Sequence, residues 1–233
     1  MNPDYLFLPG WAVPPDYYRR LQLTDGAAAA VVDYGFFTPE SVSDPRSAGA
    51  RAAAVTAPTV VLAHSLGTLF ALRAAAENRH IAALILFAPF PRFTVAADYS
   101  AGCPLRELRA MRLQLRRQPE TLLRHFYAAM GNPETVGFEP GAVLNVAALE
   151  AGLAGLAEED VRSVVPRVGC PVLLLQGEND VISGTGGAAY LAARLPQVRL
   201  QLFPGAGHAL PFTRTGACRE VIGDFLLHEV NRS

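Results

Sequence analysis

The chain contains no lysine; all 20 of its basic residues are arginine, set against 21 acidic ones for a formal charge of −1. So even a balance excludes the basic footprint of a nucleic-acid-binding protein. Cysteine is scarce, and Cys103, Cys170 and Cys218 are odd in number and widely spaced. That pattern excludes a disulfide framework and metal-type pairing, and it fits reduced thiols in a cytoplasmic protein. No apolar run approaches the ~20 residues that cross a bilayer, so no membrane association is expected. Asp4 comes early and Pro9-Gly10 interrupts the first apolar run, unlike a secretory signal peptide. Neither a glycine-rich phosphate loop nor a metal-ligand cluster occurs, so no metal and no cofactor is expected.

Apolar residues are abundant, at 51% of 233 residues, enough for one large core. Strand and helix signals alternate, the pattern of an α/β protein with a mostly parallel sheet of about six strands and helices on both faces. Strands are predicted at 5–8, 29–34, 59–64, 83–88, 171–176 and 198–203, and helices at roughly 15–23, 66–79, 185–195 and 215–229. The Ser-, Pro-, Ala- and Gly-rich stretch 38–58 reads as a loop leading to a short helix. A long, mostly helical segment, 92–165, interrupts the alternation, leaving 1–91 and 166–233 as the α/β core. A monomer is the expectation.

The run VVLAHSLGTLF (60–70) places four apolar residues, Val60 to Ala63, before His64-Ser65-Leu66-Gly67 and a helical pattern after it. This is a strand, a tight turn and a helix with Ser65 at the apex, flanked by small residues where the turn crowds the backbone. Ser65 is the candidate nucleophile, and the N–H of Leu66 is placed to face a developing oxyanion. Taken alone, the run also fits an ordinary serine at a buried strand–helix junction. His64 reads as a turn residue rather than a second base.

A serine hydroxyl needs a base, and the base needs an orienting acid. PVLLLQGENDVIS (171–183) is a buried strand ending in a polar loop with Asp180, and VRLQLFPGAGHALPFT (198–213) is a strand followed by a Gly-rich loop with His208. Each lies past the carboxyl end of a strand, where parallel sheets place ligand chemistry. Singly, Asp180 could be a turn residue or helix cap and His208 an exposed loop histidine. Glu178 is a local rival for the acid and ranks below Asp180. In YLFLPGWAVPP (5–15), Gly10 permits a close backbone approach, and Trp11 offers a second oxyanion N–H while its indole walls a pocket or simply fills the core.

With PGWAV, the HSLG turn, the Gly-x-x-Asp loop, the GHALPF segment and RHFYAAMG (124–131) in view, the chain resembles the α/β hydrolases. Within that superfamily it is most similar to the pimeloyl-acyl-carrier-protein methyl ester carboxylesterases of biotin synthesis. Ala63 replaces the usual first glycine of the turn, and Pro9 stands where relatives often carry histidine. The resemblance implies an α/β-hydrolase fold, a Ser65–His208–Asp180 triad, an oxyanion hole from Trp11 and Leu66, and 92–165 as a helical lid. It further implies that Phe126, Tyr127 and Met130 contact substrate together with Trp11, Ser65, Leu66 and His208.

In LRELRAMRLQLRRQ (105–118), Leu108, Met111 and Leu115 follow helical spacing and Arg109, Arg112 and Arg116 form a second stripe. From Cys103 to Gly131 six arginines face only Glu107 and Glu120, a local charge of +4 within a chain of −1. Such a patch, with Arg109, Arg112, Arg116 and Arg124 as the docking candidates, suits the acidic surface of an acyl carrier protein, although an arginine stripe also serves as a plain solvated face. The reaction expected is hydrolysis of a carrier-bound methyl ester. Three alternatives stay open: a general short-chain carboxylesterase, a thioesterase acting on carrier-bound acyl chains, and a hydrolase-like binding protein without catalysis.

Overall fold

The segments TVVLAH, IAALILF and VLLLQG are apolar almost throughout and almost wholly buried, as strands covered on both faces must be. The computed structural model describes residues 3–24, 29–38, 45–131 and 142–230. Its strands are β1 (Asp4–Leu8), β2 (Ala30–Val31), β3 (Thr59–His64), β4 (Ile81–Phe87), β5 (Val172–Gly177) and β6 (Val198–Phe203). They form one sheet in the order β2-β1-β3-β4-β5-β6, every neighbouring pair parallel. The helices are α1 (Pro15–Arg19), α2 (Arg46–Ala53), α3 (Leu66–Glu77), α4 (Leu105–Arg117), α5 (Pro119–Ala129), α6 (Val146–Glu158), α7 (Gly186–Ala192), α8 (Leu210–Thr213) and α9 (Thr215–Phe225). None among the described residues is long and apolar enough to cross a membrane.

The strand order reverses beside β1: the chain steps outward to β2, then returns to β3 on the other side of β1 and continues to β6. A reversal leaves a crevice between the two loops that diverge there, the loop after β1 and the turn after β3. The register brings their ends level, with Leu8 opposite Ala63 and His64 opposite Phe87. Ala12, Ser65 and Ala88, just beyond β1, β3 and β4, are the only non-glycine residues with positive φ among the described residues, at 56°, 51° and 47°. Backbone strain is thus concentrated past the carboxyl ends of three adjacent central strands.

Several predicted boundaries shift. The strand expected over 29–34 pairs only at Ala30–Val31; beyond Val32, whose N–H still donates to Phe7 O, alternate side chains Val32, Tyr34 and Phe36 remain buried while the ladder ends. At the sheet edge, packing of those rings rather than pairing decides the path. The short helix expected before residue 58 is α2; residues 39–44 of that stretch lie outside the described residues. Helix α8 lies in GHALPFT, which reads as loop, and Pro211 suits its first turn.

The segment between β4 and β5 carries α4, α5 and α6, and its residues 132–141 lie outside the described residues. Its two ends meet: Arg92 and Asp160 form an antiparallel bridge and an ion pair of 2.9 Å, and Asp160 also binds Arg162 at 2.8 Å. Leu108 and Leu115 of α4 and Leu149 and Leu153 of α6 are buried in the common core.

Candidate active site

Ser65 sits where β3 turns sharply into α3, with φ 51° and ψ −116°. That conformation is strained for a residue with a Cβ, and the surrounding packing enforces it. Ser65 N–H donates to Phe87 O at 3.0 Å. A Cβ at Gly67 would lie 2.2 Å from Leu8 O and 2.7 Å from Pro9 O, so only glycine lets the first turn of α3 press against the end of β1.

The loops after β5 and β6 are joined backbone to backbone. Glu178 N–H donates to Phe203 O at 3.1 Å and Asn179 N–H to Ala206 O at 2.9 Å, while a Cβ at Gly177 would lie 2.4 Å from Ala206 O. This contact brings His208 Nδ1 to 2.8 Å from Asp180 Oδ2 and His208 Nε2 to 2.9 Å from Ser65 Oγ. All three side chains are buried, with Ser65 5% and His208 1% exposed. Glu178, the rival acid, is exposed on the outer side of the same loop.

Asp180 Oδ1 accepts the N–H groups of Ile182 and Ser183, each at 2.9 Å, and Oδ2 accepts Ser183 Oγ–H at 2.7 Å and Gln176 Nε2–H at 3.2 Å. Burial alone would raise its pKa; the charge and hydrogen bond of His208, with the bonds from Ser183, outweigh burial and hold it well below the usual carboxylate range. Asp180 is therefore ionised at neutral pH. The Trp11 and Leu66 N–H groups make no hydrogen bond among the described residues.

Above Ser65 lies a cavity of about 250 Å³ lined chiefly by Trp11, Phe93, Leu108, Met111, Leu122, Phe126, Leu156 and Ile182, with Val181, 76% exposed, at its rim. Its polar lining besides Ser65 is Cys103, Glu107 and His125. The Cys103 thiol donates to Glu107 Oε2 at 3.3 Å, and burial together with that carboxylate pushes it up to about 12, so it stays protonated and is no rival nucleophile. No group of three or more His, Cys, Asp or Glu suited to a metal occurs among the described residues.

Of the residues expected to contact substrate, Trp11, Ser65 and Phe126 line the cavity; Leu66, Tyr127, Met130 and His208 do not. Tyr127 and Met130 instead fasten α5 to the loops below. Tyr127 O–H donates to Ala12 O at 2.6 Å, and Met130 O accepts Ala209 N–H at 3.0 Å, next to His208. Both are buried, but they meet the loops rather than the cavity. Trp11 is clamped: Nε1–H donates to Leu149 O of α6 at 2.8 Å and its ring meets Phe126 edge-on at 4.9 Å. Sequence reasoning passes over the polar lining residues Cys103, Glu107 and His125 and the apolar Phe93, Leu156, Val181 and Ile182.

The arginine stripe also needs correction. Arg112 and Arg116 both bind Glu150 of α6, the former at 2.9 Å, and Arg124 binds Glu120 at 3.4 Å. Arg106, Arg109 and Arg117 are exposed with no ion pair among the described residues, and with Leu113, 51% exposed, they share the face of α4 opposite its buried residues.

A model of the alpha/beta hydrolase family matches residues 5–221. A pimeloyl-[acyl-carrier protein] methyl ester esterase of Aromatoleum aromaticum is 30% identical over 244 aligned positions, covering 96% of this chain and 98% of the relative. The protein of that name from Nitrosomonas europaea is 34% identical over 159 positions, covering 64% of this chain and 63% of the relative, so this chain spans less than two thirds of that relative's length. Among solved structures, a hydrolase from Oleispira antarctica superposes with a TM-score of 0.83 at 17% identity, covering 98% of this chain and 92% of that one. An esterase from Exiguobacterium antarcticum does so at 0.77 and 16%, covering 97% and 92%. At such identities these two likenesses speak for the fold alone.

Proposed function

The chain belongs to the α/β hydrolase family and is a carboxylic ester hydrolase, and we propose that it removes the methyl ester from a pimeloyl chain carried on acyl carrier protein. One observation carries the mechanism: Ser65 Oγ, His208 and Asp180 are hydrogen-bonded in series, at 2.9 and 2.8 Å, beneath an apolar cavity. The substrate comes from the names of the relatives that align along the chain.

As Ser65 Oγ attacks the ester carbonyl, His208 Nε2 takes the hydroxyl proton, and ionised Asp180 holds Nδ1–H and stabilises the imidazolium. The unpaired N–H groups of Trp11 and Leu66 receive the oxyanion, each such donor being worth about 2.7–4 kcal/mol in rate. Collapse expels methanol, which takes the proton from His208. Water, deprotonated by the same imidazole, then cleaves the acyl-enzyme to a carboxylic acid and regenerates Ser65.

Helices α4–α6 act as the lid over 92–165 in this reading. An apolar cavity favours the uncharged methyl ester over the carboxylate product, which costs more to bury. The thioester end lies outside with the carrier, whose acidic surface faces Arg106, Arg109 and Arg117 around Leu113. The setting is cytoplasmic.

The test is incubation with pimeloyl-acyl-carrier-protein methyl ester, products resolved by mass, with Ser65→Ala as control. Loss of the methyl group with the thioester intact, reduced about 10⁶-fold in Ser65→Ala, is the expected result. Thioester cleavage would reassign the protein as a thioesterase, and turnover of small esters alone would remove the carrier from the proposal.

A further inference from the structure

The base and the oxyanion donor of the proposed mechanism come from opposite ends of the chain, and a buried relay joins them. Gly10 N–H donates to Tyr18 Oη at 2.9 Å, Tyr18 lies 2.8 Å from His64 Nδ1, and His64 Nε2 lies 3.0 Å from the carbonyl oxygen of His208. A carbonyl can only accept, so His64 carries its proton on Nε2. Its Nδ1 is then an acceptor, and Tyr18 O–H must donate to it. Every bond in the series has one donor and one acceptor, and His64 has no nitrogen left for Ser65.

From this geometry we propose that His64 is a positioning residue: bonded at both nitrogens, it holds the backbone of His208 in register with the Gly10–Trp11 loop through Tyr18. The inference rests on the roles proposed above for Ser65, His208 and Trp11. Gly10 is adjacent to the Trp11 N–H, and the bond from Gly10 to Tyr18 fixes the peptide that carries it. At the other end, the bond to His208 O restrains the residue whose ring must meet both Asp180 and Ser65. Catalytic groups need placement to a fraction of an ångström, and misplacement by about 1 Å costs on the order of 100-fold in rate.

The surroundings suit a fixed element. His64 is completely buried, its ring centroid is 5.0 Å from that of His208, and Phe212 covers the relay at 5.1 Å from Tyr18 and 6.0 Å from His64. A Cβ at Gly10 would lie 2.9 Å from His64 Nδ1, so glycine there makes room for the relay. Burial, reinforced by neighbouring His208, pushes His64 down to about 3, which keeps the imidazole neutral and its hydrogen-bond pattern unchanged at working pH.

The two links can be cut separately. His64→Gln can still place an amide N–H near His208 O but gives up the bond from Tyr18. His64→Asn keeps an acceptor for Tyr18 and gives up His208, while Tyr18→Phe leaves His64 in place with no donor. The readouts are the rate of Ser65 phosphonylation by a fluorophosphonate, kcat and KM on a p-nitrophenyl ester, and the thermal midpoint. All three variants should slow phosphonylation and kcat about 10- to 100-fold, change KM less than about twofold, and leave a cooperative thermal transition. His64→Asn and Tyr18→Phe together should cost less than the product of their separate effects, since they interrupt one series.

Unchanged rates per folded molecule with a lowered midpoint would overturn the inference and make His64 a core residue. Should either His64 variant fail to fold, Tyr18→Phe decides by the same readouts. Phosphonylation of the wild-type protein without turnover of the methyl ester would overturn the substrate assignment alone, with the relay still judged on phosphonylation. A wild-type protein that is not phosphonylated at Ser65 would overturn both.

Discussion

At the scale of single residues, the site depends on groups held in states they would not adopt alone. Ser65 keeps a left-handed backbone because Gly67 lets α3 lie against Leu8 O. Asp180 stays ionised in a buried place because five hydrogen-bond donors surround it. The second device has a pH consequence. The folded-state pKa of Asp180 is depressed below its unfolded value of about 3.9, so its contribution to stability is complete above that value and is lost as pH falls through the lower folded value. Asp180→Asn removes the contribution. The gap between wild-type and variant thermal midpoints should be steady near pH 5–6 and narrow below about pH 4. A gap that widens on acidification would contradict the ionised, stabilising carboxylate.

At the scale of elements, helices α4–α6, the cap of the proposed site, are fastened to the loops around Ser65 at a few points, Trp11 among them. Its indole bonds Leu149 O and faces Gly152, where a Cβ would lie 2.6 Å from Trp11 Cδ1. Gly152→Ala therefore forces either α6 or the Trp11 loop to move. Overpacking of this kind costs about 1–3 kcal/mol. We expect a lowered thermal midpoint together with slower Ser65 phosphonylation, because the displaced loop carries the proposed oxyanion N–H; a lower midpoint with an unchanged rate would show that α6 alone yields. These junctions mark where sequence reasoning stops. β3, β4 and β5 are legible because uniform apolarity means burial on two faces whatever the neighbours, and Ser65 and Asp180 are legible because each follows such a strand, while His208 follows the alternating strand β6 and a Gly-rich loop. Glu107 and His125 are polar residues on amphipathic helices, and only the placement of α4 beside α5 turns them toward a cavity. The Tyr18–His64 and His64–His208 bonds join residues 46 and 144 apart, distances over which no local pattern operates.

At the scale of the molecule, a basic face stands on a chain of net charge −1. The sequence shows the excess of arginine on α4 but not which arginines are spent internally, because Glu150 lies 38 residues from Arg112 and 34 from Arg116. Pairing divides the helix into two sets with different expected behaviour. Arg112 and Arg116 brace α4 against α6, so Arg116→Ala should affect the cap while leaving most of the outward potential intact. Arg106, Arg109 and Arg117 point their charge to solvent around Leu113, and exposed charges of this kind steer association more than they stabilise the fold. Reversing these three to glutamate should lower kcat/KM about 10-fold or more for a carrier-bound methyl ester and leave that for a small p-nitrophenyl ester unchanged. Raising ionic strength to about 0.5 M shortens the screening length to a few ångströms and should produce the same selective loss in the wild-type protein, but much less in the reversed variant. Equal loss on both substrates would place these arginines in the cap's own stability. No loss on either would make them a solvated face and leave the carrier to dock elsewhere.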